Sequence, residues 1–256
     1  MRGFLLAGTF LAALWVSPAH AGVIGYYSFN GNANDSSGNG ANGTVNGSVT
    51  YTNNSPFGGS AITFDGSSRS NYVTVPIDSQ VVTHPTETFG GWFYVPSNVT
   101  VTNQGLISND NCCFDRSLDL DTRNGGFQYS AFTGSGVAGG GQVSLNQWVF
   151  LAVSYNNPAG TYVFQAGTNQ VSGTTSFDLA DMPTTYIGMN PNYDAPFRGE
   201  MADVFFLDTA LSGAQLANIQ QNGPSAVFAL ATPEPSTMIL LGGALVLLGA
   251  VRTRRR

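Results

Sequence analysis

Hydrolysis of a glycosidic bond needs two carboxyl groups facing one sugar across about 5–10 Å, so the glutamates come first. Between residues 22 and 231 there are two, Glu87 and Glu200. In "GEMAD" (199–203) Glu200 and Asp203 stand three apart, which turns them to opposite faces of a regular strand. Nucleophilic catalysis by Ser or Cys needs a base within reach, and the histidine of this stretch is His84, directly before Pro85. His84 reads as an exposed loop residue more readily than as a triad member. Neither a Gly-x-Ser-x-Gly elbow nor a phosphate loop is present. These residues predict a non-catalytic protein.

Recognition of a sugar asks for aromatic faces and a few placed polar groups in a concave site. Trp92 and Trp148 have apolar neighbours in strand-like runs and are assigned to the core. Phe114, Arg116, Tyr129, Tyr193 and Phe197 are the candidates for touching a glycan, with packing at the edge of the fold as the alternative. Two of them stand in "CCFDR" (112–116), where Cys112 and Cys113 are adjacent. Neighbouring Cα atoms lie about 3.8 Å apart, and an ordinary disulfide wants at least about 4.4 Å. A vicinal bond would be a small strained ring that preorganises Phe114 and Arg116; free thiols or pairing with another chain are the alternatives.

Charge narrows the partners. The chain has no lysine, and residues 22–231 hold four arginines (Arg69, Arg116, Arg123, Arg198) against fourteen acids, a net charge of −10. Nucleic acid, which needs clustered cations, is excluded. Divalent cations or neutral glycans suit this surface better.

Short β-branched and aromatic runs separated by Gly, Asn, Ser and Thr must position these residues. Examples are "VIGYYSF" (23–29), "SAITFDG" (60–66), "NYVTVP" (71–76), "TFGGWFYVP" (88–96), "QWVFLAVSY" (147–155) and "GEMADVFFLD" (199–208). "RSLDLDTR" (116–123) puts Leu118 and Leu120 on one face and Asp119 and Asp121 on the other. About a dozen such runs predict an all-β, two-sheet antiparallel sandwich. The polar stretch "NGNANDSSGNGANGTVNG" (30–47) reads as an ordered loop with short edge pairings. One short C-terminal helix is expected, with Ser212 and Gln215 as capping box, Leu211 and Leu216 as staple, and Gly223-Pro224 as its stop.

The ends read as addresses. Arg2, an apolar run from Phe4 to Val16 and Ala19-His20-Ala21 make residues 1–21 a secretory signal peptide. Residues 22–231 form one domain, and 232–256 a tail whose apolar run, Met238–Val251, is 14 residues long. A helix needs about 20 to cross the hydrocarbon core, so transient membrane association fits better than a permanent anchor.

The pieces "YYSFNGNANDSSGNGANGTV", "SAITFDGSSRSNYVTVP", "FGGWFYVP", "NQWVFLAVSY" and "FRGEMADVFFLDTALSGAQLANI" together resemble the laminin-G-like branch of the concanavalin A-like jellyroll family. This resemblance implies a calcium near the sheet edge, with Asp35 and Asp203 as ligands and Asn39 or Asn42 adding oxygens. The alternatives are an Asx-turn at Asp35 and a backbone hydrogen bond at Asp203. The tail, with Pro233-Glu234-Pro235, the apolar run and "RTRRR", resembles the PEP-CTERM sorting signal of exopolysaccharide-producing Gram-negative bacteria. It implies processing by an exosortase-type enzyme, then release or transfer to the envelope. The expected role is an exported, carbohydrate- or matrix-binding protein with extracellular polysaccharide as partner. A structural surface protein without ligand and a glycan-active enzyme are the other readings.

Overall fold

The computed structural model describes residues 22–112, 114–177 and 183–231. The expected signal peptide, Cys113 and the motif Pro233-Glu234-Pro235 lie outside these residues. The strands are β1 (Val23–Tyr27), β2 (Thr44–Asn46), β3 (Thr50–Thr52), β4 (Ala61–Asp65), β5 (Tyr72–Val75), β6 (Thr86–Tyr94), β7 (Gln104–Ser108) and β8 (Ser117–Asp121). They continue as β9 (Gln128–Phe132), β10 (Val137–Gln142), β11 (Trp148–Asn156), β12 (Thr161–Ala166), β13 (Asn169–Thr174), β14 (Thr185–Ile187), β15 (Ala195–Pro196) and β16 (Arg198–Leu207). Helices α1 (Gly213–Asn222) and α2 (Pro224–Ala231) follow.

The first sheet runs β13-β12-β11-β6-β16-β4-β3 with β1 also on β16; the second runs β10-β9-β8-β7-β14-β5-β2 with β15 on β7. Apart from the parallel β15–β7 pair, the strand pairings are antiparallel. Alternation along each strand builds the sandwich. Phe89, Phe93, Leu151 and Val153 from the first sheet meet Ile107, Leu118, Leu120 and Val73 from the second in one buried core. On the outer face of the first sheet, Trp92, Phe150 and Phe205 pack with Leu216, Ile219 and Val227 of the helices.

Local sequence explains the details. Ser212 Oγ accepts from Gln215 N while Ser212 N donates to Gln215 Oε1 at 2.9 Å, the expected capping box. Pro224, expected to close the helical region, instead opens α2. Its missing N–H and fixed φ suit a first helical turn, and Gly223 at φ 72° makes the corner. The glycines of "VAGGGQ" form β10. A Cβ on Gly140 would meet the Phe164 ring at 2.5 Å, so the side-chain-free backbone lets that ring pack.

β16 changes neighbours along its length. Arg198–Met201 pairs with β4 and Val204–Leu207 with β1, and the register with β6 shifts between Ala202 and Phe205. Asp203 sits in that bulge at φ 53°. The extra residue overturns the expected separation of Glu200 and Asp203, because one short segment reaches both. Thr52 Oγ1 and Asn54 Nδ2 donate to Glu200, and Ser55 Oγ donates to Asp203.

Candidate functional site

Several segments converge on the outer face of the second sheet. The β7–β8 loop supplies Asp110, Cys112 and Phe114; the turn after β8 supplies Arg123; the β14–β15 loop supplies Tyr193; Phe132 ends β9. Together they line a concavity of about 370 Å³. Phe114 holds φ 64°, a left-handed conformation that costs a non-glycine residue and gathers at functional sites. Tyr193 is 57% exposed.

Strand alternation explains the floor. Leu118 and Leu120 face the core, so Asp119 and Asp121 project outward, yet both are buried. Arg123 folds back over them. Its main-chain N and its Nε each bond Asp121 at 2.6 Å, and Nη2 bonds both oxygens of Asp194 at 2.9 Å. The guanidinium carbon lies 4.9 Å from the Phe132 ring centre and 5.7 Å from that of Phe114. Asn190 Nδ2 donates to Asp110 at 2.8 Å and to Asp194 at 3.4 Å. Tyr193 OH donates to Asn111 O at 2.9 Å, fastening one wall to the other. Arg69 holds the β14–β15 loop from outside by donating to the carbonyls of Asn190, Pro191 and Asp194. Cys112 is disulfide-bonded, and its N and that of Asn111 donate to Asp115 Oδ2.

Burial raises the carboxyls of Asp110, Asp119 and Asp194 at this site, of Glu87 in the core and of Asp203 at the bulge. A carboxyl with a raised folded value binds its proton more tightly folded than unfolded. Its stability contribution is present below the unfolded value and lost as pH rises through the folded one. Asp35, despite partial burial, is lowered by hydrogen bonds from Ser37, Tyr26 and Ala41, and Asp65 by those from Ser67. These two work the opposite way below pH about 4. The melting temperature is therefore expected to rise as pH falls from about 8 towards about 4.5; a thermal melt series that is flat or falling over this range would contradict the burial of these carboxyls.

The profile of the concanavalin A-like lectin/glucanases superfamily matches residues 65–217. The chain belongs to this superfamily. Among solved structures, domain 4 of AbnA, a GH43 extracellular arabinanase from Geobacillus stearothermophilus in complex with arabinotriose, is 21% identical. That match covers 83% of this chain and 100% of the other, with a TM-score of 0.58. The botulinum neurotoxin serotype D binding domain is 15% identical over 80% of this chain and 52% of its own, TM-score 0.58. A structure of neurotoxin type C, whose cell entry depends on interaction with two ganglioside molecules, is 13% identical over 79% and 51%, TM-score 0.58. The chain spans about half the length of these toxin structures. Such likenesses show the shared fold. No curated protein matches the chain. A PEP-CTERM protein-sorting motif matches residues 231–256 and implies export with membrane-associated processing by an exosortase-type enzyme. Among the described residues no helix is long and apolar enough to cross a membrane.

On this concanavalin A-like frame two of the expected contact residues, Phe114 and Tyr193, come together at the concavity. The other three do not. Arg116 is fully buried against Glu87, Tyr129 packs in the core with its OH on Ser144, and Phe197 is buried beside Phe64. Asp110, Arg123 and Phe132 were not among the candidates. The available signal was "SLDLDTR", whose outward aspartates on a covered face require a cationic partner nearby.

The residues expected to hold calcium do not fit the ion. Both oxygens of Asp35 already accept from Tyr26 N, Ser37 N, Ser37 Oγ and Ala41 N, the Asx-turn arrangement. Asn42 Oδ1 accepts from Asp35 N, and Asn39 Nδ2 donates to Val23 O. Asp203 lies across β1, accepting from Tyr26 OH and Ser55 Oγ. Calcium needs 6–8 oxygens with lone pairs to give, and among the described residues no three acidic, His or Cys side chains group to hold a metal.

Proposed function

We propose that the protein is an exported, non-catalytic carbohydrate-binding protein that holds extracellular polysaccharide at the outer envelope or in the surrounding matrix. The carrying observation is the concavity walled by Phe114 and Tyr193 and floored by Arg123 and Asp110. Aromatic faces with a few fixed polar groups are the composition of a small-ligand site. The export signal, the arabinotriose complex of the AbnA domain and the ganglioside dependence of neurotoxin type C entry, both named for structures of the same fold, support the reading. Against catalysis, Glu87 is buried on Arg116, while Glu200 stands at a groove beside Tyr94 and Arg198 of the first sheet. The two glutamates thus do not face one sugar.

A glycan array tests this. The mature protein is expected to bind a subset of polysaccharide fragments, and Phe114→Ala with Tyr193→Ala to abolish that binding while leaving the melting temperature within a few degrees. An array on which wild type binds nothing would favour a purely structural surface protein.

A further inference from the structure

We propose that the helix-covered face of the first sheet rests on the lipid bilayer while the sorting tail is still attached, with Phe57, Phe228 and Leu230 as its apolar contacts.

The length of chain between the fold and the apolar run sets the geometry. Helix α2 ends at Ala231 and the run begins at Met238, a stretch that reaches at most about 25 Å when fully extended. About 6 Å of it must cross the headgroup layer. The end of α2 therefore stays within about 20 Å of the membrane surface. A domain of about 210 residues has a radius of gyration of about 17 Å and is about 40 Å across. Such a tether is too short for the domain to turn over. The face from which α2 leaves looks at the lipid, and the concavity, on the outer face of the other sheet, looks away from it.

The composition of that face fits lipid. From Thr209 to Pro233 no residue is charged, and neither is any in the β3–β4 loop, 53–60. In a domain of net charge −10 this side approaches anionic headgroups with the least repulsion. Phe57 is 46% exposed and stands edge-on to Trp92, their ring centres 4.8 Å apart. It covers the corner between the helices, where a Cβ on Gly223 would meet its ring at 2.7 Å. Phe228 and Leu230 are half-buried on the same apolar layer, the Phe228 ring 4.9 Å from that of Tyr26. The acids that the Phe57 loop touches are occupied: Ser55 donates to buried Asp203, and Asn54 to Glu200. Apolar side chains on an interfacial face reach about 5–10 Å into the headgroup boundary. Three of them without basic neighbours hold weakly alone, which suits a surface that must let go once the tail is cut.

The test uses the chain from Gly22 to Arg256 in vesicles of phosphatidylethanolamine and phosphatidylglycerol that carry a nitroxide lipid. A fluorescent label is placed on Ser225→Cys, in the exposed first turn of α2, or on Asn124→Cys, exposed beside the concavity. Quenching at 225 is expected to be at least about threefold that at 124, because the second position stands a domain's width from the lipid. Adding Phe57→Ser with Leu230→Ser should bring quenching at 225 down to the level at 124, while the tail still carries the protein down with the vesicles. The contrast between the two labels in the otherwise unaltered chain decides the matter if that variant fails to fold. Equal quenching at the two positions would mean that the domain tumbles on its tether, and stronger quenching at 124 that the concavity faces the lipid. Either result overturns the proposal, as does a chain that fails to sediment with the vesicles, and none of them bears on the glycan array.

Discussion

Replacing Arg116 by alanine is expected to lower the free energy of unfolding by about 3–5 kcal/mol, the usual cost of stranding one partner of a buried ion pair. Arg116 Nη1 donates to Glu87 Oε2 at 3.0 Å and to the carbonyls of His84 at 2.7 Å and Ser79 at 3.2 Å. Ser79 Oγ fills the other Glu87 oxygen at 2.7 Å. Both charges are fully buried, and the guanidinium carbon lies 5.5 Å from the Tyr155 ring centre and 5.7 Å from that of Phe177. Burial pushes the Glu87 carboxyl up against the pull of Arg116, so the pair is not a free source of stability. Glu87→Ala should therefore cost about as much as Arg116→Ala. The double change Arg116→Met with Glu87→Leu, which removes both charges and keeps volume, should recover most of the loss. Urea denaturation of the four proteins decides it; a single variant losing under about 1 kcal/mol would mean the pair is hydrated rather than buried. The pair also anchors the site, because Asn109 N donates to Arg116 O at the root of the loop that carries Phe114.

The sequence placed Arg116 on the surface because it sits in a polar loop beside two cysteines. The signal against that lay elsewhere: Glu87 is in phase with Phe89 and Phe93, the core side of β6. A carboxylate committed to the core by alternation requires a cation, and few are available in so arginine-poor a domain. The sandwich itself was legible because β-branched and aromatic runs bounded by turn residues mark most of its strands, β6 and β11 as near-continuous apolar runs. The capping box of α1 was legible for the same reason, being a local pattern with one geometric meaning. What depends on distant chain segments was not. The bulge at Asp203 arises where β16 passes from β4 to β1, and the concavity exists only because Arg123 and the β14–β15 loop fold over Asp119 and Asp121. Phe114 and Tyr193 could be named from residue type, but their meeting could not.

That dependence makes Gly105 the position where one methyl group should harm the site more than the fold. Gly105 lies in β7 opposite Asp119 of β8, with Pro196 of β15 on its other side. A Cβ there would fall 2.0 Å from Asn190 N and 2.5 Å from Met189 C, main-chain atoms that cannot rotate away. The β14–β15 loop must therefore move outward, and overpacking of this kind costs about 1–3 kcal/mol. The moving segment carries the Asn190 amide that joins Asp110 to Asp194, and the carbonyls that Arg69 grips. Gly105→Ala is expected to keep a cooperative melt at lower temperature and to lose glycan binding outright. Gly136→Ala is the control, since a Cβ there meets nothing within 4 Å and it should change neither property. A Gly105→Ala protein that binds like wild type would show that Asn190 and the Arg69 clamp do not set the geometry of Phe114, Arg123 and Tyr193. The concavity would then owe its shape to the β7–β8 loop alone.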